Sequence, residues 1–250
     1  MDNSAQSNTP MAENQGIVQQ SSGFDTIETW VFDLDNTLYP ASSRLFDQVD
    51  RKITEFIMQA LDLEWDAAYK KQKKLFREYG TSMRGMMTEH GTSPDEYLDY
   101  VHNIDLSPIP ASPDLDEALG QLDGRKVIFT NGSTHHATNV TAKLGITHHF
   151  DGIFDIVDSQ FTPKPDLGVY EKMIANFGLN PKTAVMVEDM ARNLVPAAAL
   201  GMTTVWVRTD SDWAREGSVG DHIHHVVDDL TDWLTMVVEQ QSAETVSGNR

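Results

Sequence analysis

The sequence contains no cysteine, which excludes disulfides, thiolate catalysis and cysteine-ligated zinc or iron–sulfur centres. Basic residues are scarce as well. Nineteen lysines and arginines stand against 38 acidic residues, for a formal net charge of −19. So negative a surface repels nucleic acid backbones and anionic membranes, and a polynucleotide substrate is disfavoured. Long apolar runs are also missing, and no stretch approaches the ~20 residues needed to span a bilayer. The polar stretch from Met1 to Gly23 has no basic start followed by an apolar core, so it does not read as a signal peptide. The resulting expectation is a cytoplasmic protein without membrane or nucleic-acid partners.

Forty per cent hydrophobic and 23% charged residues describe a globular chain. Residues 1–23 and 243–250 read as disordered tails. Between them, short apolar runs alternate with helical patterns. The runs are Thr29–Phe32, Arg125–Phe129, Ile153–Val157, Ala184–Val187 and Thr203–Val207. Helical spacing covers His135–Leu144, Leu167–Phe177 and Ala191–Leu200, each followed by a glycine suited to a C-terminal cap. Short strands apolar on both faces, separated by helices, predict a Rossmann-like, doubly wound parallel α/β sheet.

One interval breaks the alternation. About 90 residues separate the first two strands, where a crossover needs only a dozen or so. They carry helical patterns at Leu45–Leu61, Trp65–Tyr79, Met83–His90 and Pro94–Asn103. The expected organisation is therefore a core of residues 24–40 and 111–242, with an all-helical domain inserted at 41–110.

In an open parallel sheet, ligands bind beyond the carboxyl ends of the strands. Asp33 and Asp35 follow the first run, Thr130, Asn131 and Gly132 the second, and Glu188 and Asp189 the fourth, with Lys164 in the loop beyond the third. Asp33 and Asp35 are two residues apart, so an extended backbone points them to one side. With Asp189 they would make a three-carboxylate oxygen cage of the kind Mg²⁺ prefers, and the cation would offset the negative field that otherwise rejects a phosphate. Asp33 could attack phosphorus and become an aspartyl-phosphate. Asp35 could protonate the leaving oxygen and later deprotonate water. Lys164, Thr130 and the N–H groups of Asn131 and Gly132 could neutralise and hold the phosphoryl oxygens.

Four segments, Asp33-Leu34-Asp35-Asn36-Thr37-Leu38-Tyr39, Thr130-Asn131-Gly132, Lys164-Pro165 and Glu188-Asp189, stand in the order of the four motifs of the haloacid dehalogenase superfamily. The chain resembles that superfamily from about Thr29 to Val207. The resemblance implies Asp33 as nucleophile, Asp35 as acid/base, Thr130 and Lys164 as phosphate-binding residues, and a mobile cap in the helical insert. It also implies Mg²⁺ on the Asp33 and Asp189 carboxylates and the Asp35 backbone carbonyl. A finer resemblance is to the pyrimidine 5′-nucleotidase branch, through Asp35-Asn36-Thr37-Leu38-Tyr39-Pro40 and the Tyr79-Gly80-x-x-x-Arg84-Gly85 stretch. It nominates Arg84 for substrate contact and a nucleoside monophosphate as substrate.

Glu188-Asp189 replaces the branch's usual Asp-Asp and is shared with sugar-phosphate mutases, so Glu188 is a candidate metal or supporting residue. Asn193, four beyond Asp189, is another. The alternatives are a sugar-phosphate mutase or a phosphatase of another small ester, such as a phosphoglycolate-like one. A silent scaffold is disfavoured by the intact motifs, and a dehalogenase by Asp35, because carbon–halogen hydrolysis needs no acid for an alkoxide. The adjacent histidine pairs His135-His136 and His148-His149 are expected to diverge and not to form a zinc site.

Overall fold

The computed structural model describes residues 24 and 26–248, so the expected tail at 1–23 lies outside the described residues. Six strands form one sheet, β1 (Thr29–Phe32), β2 (Arg125–Phe129), β3 (Gly152–Phe154), β4 (Ala184–Glu188), β5 (Thr203–Val207) and β6 (His225–Val227). All neighbours pair in parallel, in the order β3-β2-β1-β4-β5-β6. The order reverses direction at β1, which makes its carboxyl end the topological switch point where doubly wound sheets bind ligands.

The period of two along β1 shows why the sequence reads as it does. Val31 packs with Val127, Met186 and the helices α7 (Leu167–Phe177) and α8 (Leu194–Ala199). Trp30 and Phe32 face the opposite layer of α5 (Pro113–Gln121), α6 (Thr134–Leu144) and α9 (Leu230–Gly248). Burial on both faces removes the polar alternation that a one-sided strand would show.

Between β1 and α5 lie α1 (Leu45–Leu61), α2 (Trp65–Tyr79), α3 (Ser82–His90) and α4 (Pro94–Val101). They bury their own apolar cluster, including Ile57, Leu75, Met86 and Tyr97, joined from the sheet side by Ile156 and Phe161. Gly85 marks the tightest approach, because a Cβ there would sit 2.6 Å from Leu75 Cδ2. The Tyr79-to-Gly85 stretch thus has a packing role between α2 and α3.

Four local differences from the sequence reading have physical causes. The third strand ends at Phe154, not Val157, because Asp155 closes a turn: its Oδ1 accepts from Val157 N–H and Asp158 N–H. The helix expected from Ala191 starts as a 3-10 turn, and the α-helix begins at Leu194 with Pro196 in its first turn, where a missing N–H is tolerated. β6 is only three residues long, too short for periodicity to reveal. Finally, α9 continues to Gly248 across most of the expected C-terminal tail. Leu230, Trp233, Leu234, Val237 and Val238 are buried at helical spacing, a signal present in the sequence. Among the described residues, no helix is long and apolar enough to cross a membrane.

Candidate active site

At the end of β1, Asn36 adopts a left-handed φ of 58°, and the N–H groups of Thr37 and Leu38 both return to the Leu34 carbonyl. Asparagine tolerates this conformation better than most residues. The tight turn aims Asp33 and Asp35 into a cavity of about 910 Å³ that separates the sheet rim from α1–α4.

Lys164 is fully committed. Its Nζ donates to Asp33 Oδ1 at 2.7 Å, to Glu188 Oε1 at 2.8 Å and to the Phe129 carbonyl at 2.8 Å. Burial by itself would lower its ammonium, but the charges of Asp33 and Glu188 outweigh burial and hold it above its ordinary value. Its backbone is tied to the end of β2, since Lys164 N–H donates to Asn131 Oδ1 at 2.8 Å. Asn131 therefore works through its side chain as a brace for the lysine loop. The N–H of Gly132 donates to Thr130 Oγ1 at 2.9 Å and is spent within the loop, contrary to the expectation that it is free for a phosphoryl oxygen.

Asp33 receives a second donor, Thr37 Oγ1, on Oδ2 at 3.1 Å. Burial first, and then the Glu188 charge, push its carboxyl up to about 7 against the pull of Lys164. Asp189 is also raised, by burial, Glu188 and Asp33, and its Oδ2 is buried without a partner. Oxygens of Asp33, Glu188 and Asp189 lie within 4.8 Å of one another. Three buried carboxylates with one ammonium leave negative charge uncompensated, and a hard divalent cation fits that donor set.

The three converging acids are not the expected three. Asp35 keeps its carboxylate apart: Tyr39 OH donates to its Oδ1 at 2.6 Å, and His136 Nε2 meets the same oxygen at 2.8 Å. Burial works to raise Asp35, but His136 and Tyr39 prevail and hold it below the usual carboxylate range. Glu188 takes the third place in the acidic group, with both oxygens engaged by Lys164, Asn193 Nδ2 and the Met190 N–H. Asn193 thus reaches Glu188, leaving Asp189 with the oxygen open to a cation.

The helical side of the cavity presents Phe46, Tyr69, Lys73, Phe76, Arg77 and His102, with Trp213 from the loop after β5. Phe46 and Trp213 rings lie 6.1 Å apart. Arg84 is not among the lining residues. It sits in the first turn of α3, where its N–H donates to Thr81 Oγ1, whereas Arg77 lines the cavity. Sequence reasoning also missed Tyr39, His102 and His136. Tyr39 was inside a recognised motif, whereas nothing local ties His136 to Asp35, 101 residues away.

His148 and His149 do not diverge as expected. They share a 3-10 turn, and their Nε2 atoms lie 3.2 and 2.7 Å from Asp116 Oδ1, at a surface outside the cavity.

A model of the haloacid dehalogenase-like hydrolases matches residues 27–201, and the chain belongs to that family. Phosphate metabolism protein 8 of Saccharomyces cerevisiae is 30% identical over 193 residues, 70% of this chain. The chain spans 60% of the length of that yeast protein. Glyceraldehyde 3-phosphate phosphatase of Methanothermobacter thermautotrophicus is 24% identical over 80% of this chain and 95% of its own. The fold is shared with a HAD phosphatase from Thermococcus onnurineus, with a TM-score of 0.56 and 18% identity over 84% of this chain and 98% of that one.

Proposed function

We propose that the protein is a Mg²⁺-dependent phosphomonoesterase that works through an aspartyl-phosphate on Asp33 and acts on nucleoside monophosphates, as a pyrimidine 5′-nucleotidase does. The observation that carries the phosphatase reading is the buried set in which Lys164 and Thr37 each grip one oxygen of Asp33, beside an unpartnered Asp189 oxygen. In this reading the Asp33 carboxylate attacks phosphorus, and Asp35 gives a proton to the leaving oxygen and then accepts one from water. Thr130 and the Asn131 N–H hold the phosphoryl oxygens. Lys164 keeps the nucleophile aligned, and Glu188 and Asn193 keep Lys164 in place. The Asp33 and Asp189 carboxylates would hold Mg²⁺, with the Asp35 carbonyl as the resemblance implies. When bound, the ion supplies positive charge against the transferring phosphoryl group.

Helices α1–α4, within residues 41–110, act as a cap over the core of 24–40 and 111–242, and exclude water during transfer. The nucleotide reading is supported by a cavity with room for more than a triose and by the Phe46–Trp213 pair as an apolar rest for a base. A second reading, a small phosphosugar, is favoured by the name of the archaeal relatives. Phosphate release from a panel of nucleoside monophosphates, triose phosphates and phosphoglycolate, with and without Mg²⁺, separates them. No release from any ester defeats the phosphatase reading, and a triose preference defeats the nucleotide one. Isomer formation without free phosphate would identify a mutase.

A further inference from the structure

Resting on the phosphatase reading, we propose that His136 is the positioning residue for proton transfer: with Tyr39 it locks Asp35 Oδ1, so that Oδ2 is the oxygen that exchanges the proton with the leaving group. Three features of the His136 surroundings carry the proposal. The imidazole is buried, with 1% of its side chain exposed, and its Nε2 lies 2.8 Å from Asp35 Oδ1. Tyr39 OH donates to the same oxygen at 2.6 Å, whereas among the described residues nothing donates to Oδ2, and Asp35 lines the cavity. Two donors on one oxygen fix the rotation of the carboxyl group and mark the other oxygen as the one that faces the reaction.

The ring itself is clamped. Its backbone N–H donates to Ser133 Oγ at the start of α6, and its ring stacks on His102 at 4.3 Å with planes 8° apart. His102 ends α4 and holds Ser133 Oγ through its own Nδ1 at 2.9 Å. On the remaining side the loop after β2 runs alongside the ring, since a Cβ at Gly132 would lie in contact with His136 Cδ2 at 3.4 Å. A histidine that merely satisfied a buried carboxylate would not need clamping from α4, the β2 loop and α6 together. His136 does not line the cavity, so it acts through Asp35 and not on the substrate.

The proton balance is simple. Asp35 takes a proton from solvent on Oδ2 as the anionic ester comes up beside it. As Asp33 attacks phosphorus, the bond from phosphorus to the leaving oxygen breaks, and that proton moves to the leaving oxygen. The new carboxylate charge is shared with Oδ1, where the Nε2–H of His136 and the O–H of Tyr39 already point. In hydrolysis, Oδ2 takes a proton from the water that attacks the phosphorylated Asp33, and the cycle closes.

The test is kcat/KM with Mg²⁺ for phosphate monoesters whose leaving groups run from p-nitrophenol through phenol to glycerol. That ratio reports the steps through leaving-group release and is blind to later hydrolysis of the aspartyl-phosphate. A good leaving group departs without a proton, whereas an alkoxide needs one. His136→Ala should therefore lose about 100-fold on glycerol phosphate and only a few-fold on p-nitrophenyl phosphate, since a placed acid contributes at least that much. His136→Gln, whose Nε2 can reach the Nε2 position of the ring, should recover about tenfold on the alkyl ester. Should the alanine variant fail to fold, Tyr39→Phe removes the other donor without changing shape and should show the same tilt, more weakly.

A loss of equal size on every ester, or no loss, overturns the positioning role while leaving the phosphatase reading intact. Wild-type protein that releases phosphate neither from these esters nor from nucleoside monophosphates, triose phosphates or phosphoglycolate overturns the phosphatase reading and this inference with it.

Discussion

The two walls of the cavity are built on opposite principles. On the sheet wall, nearly every polar atom of Asp33, Lys164 and Glu188 is engaged by a neighbour, and the groups are buried. On the helical wall, Phe46, Phe76 and Arg77 face the cavity with few commitments, and Arg77 is exposed. The first wall is rigid because unpaired buried charge is expensive, so each group demands its partners. On the second, Phe46, Phe76 and Arg77 can vary without unpairing buried charge, whereas Gln72 and Lys73 beside them are tied to Asp50. In the proposed reading, reaction chemistry falls to the committed wall and choice of leaving group to the other.

The sharpest way to break this comparison is Asp33→Asn. It keeps the shape but leaves one acceptor where Asp33 has two, and removes the nucleophile, so phosphate release should fall by about 10⁴-fold or more. Near-normal turnover would refute the assignment of chemistry to this wall.

Next comes the linkage between cation and pH. Asp33, raised to about 7 from 3.8, and Asp189, raised as well, retain protons in the folded state that the unfolded chain has lost. With no cation, stability from these two groups therefore falls as pH rises from about 4 towards 7. A divalent cation binds the ionised pair and restores it, so the rise in Tm on adding Mg²⁺ should be larger at pH 8 than at pH 5. A shift independent of pH would count against cation binding by these carboxylates.

A smaller effect is expected at Gly85. An added methyl must displace Leu75, so Gly85→Ala should cost about 1–3 kcal/mol in denaturant unfolding. The smallest contrast is between two arginines. Arg77→Ala should raise KM for a nucleotide several-fold, about 1 kcal/mol of lost contact, with kcat little changed. Arg84→Ala should alter KM less than twofold, and a larger effect there would restore Arg84 to the substrate.

The site's composition was legible in the chain, because its acids and its threonine follow apolar runs at positions where a strand must end, and its lysine stands in the loop beyond the third run. Their pairing was not legible. Glu188 and Asp189 are adjacent, yet one braces Lys164 and Asn193 while the other keeps an open oxygen, a distinction made by how the chain turns after β4. The recognised Arg84-Gly85 pair likewise suggested substrate contact, whereas packing of α3 on α2 explains its glycine.

By itself, the sequence determined the parallel sheet, the interruption between β1 and β2, and the family, because periodicity and the order of short motifs are local properties. The tertiary structure alone decided that Asp35 is held by His136 and not joined to the acidic cluster, and that Arg77 faces the cavity in place of Arg84. Such facts depend on the rotation and contact of side chains far apart in the chain, which spacing cannot encode.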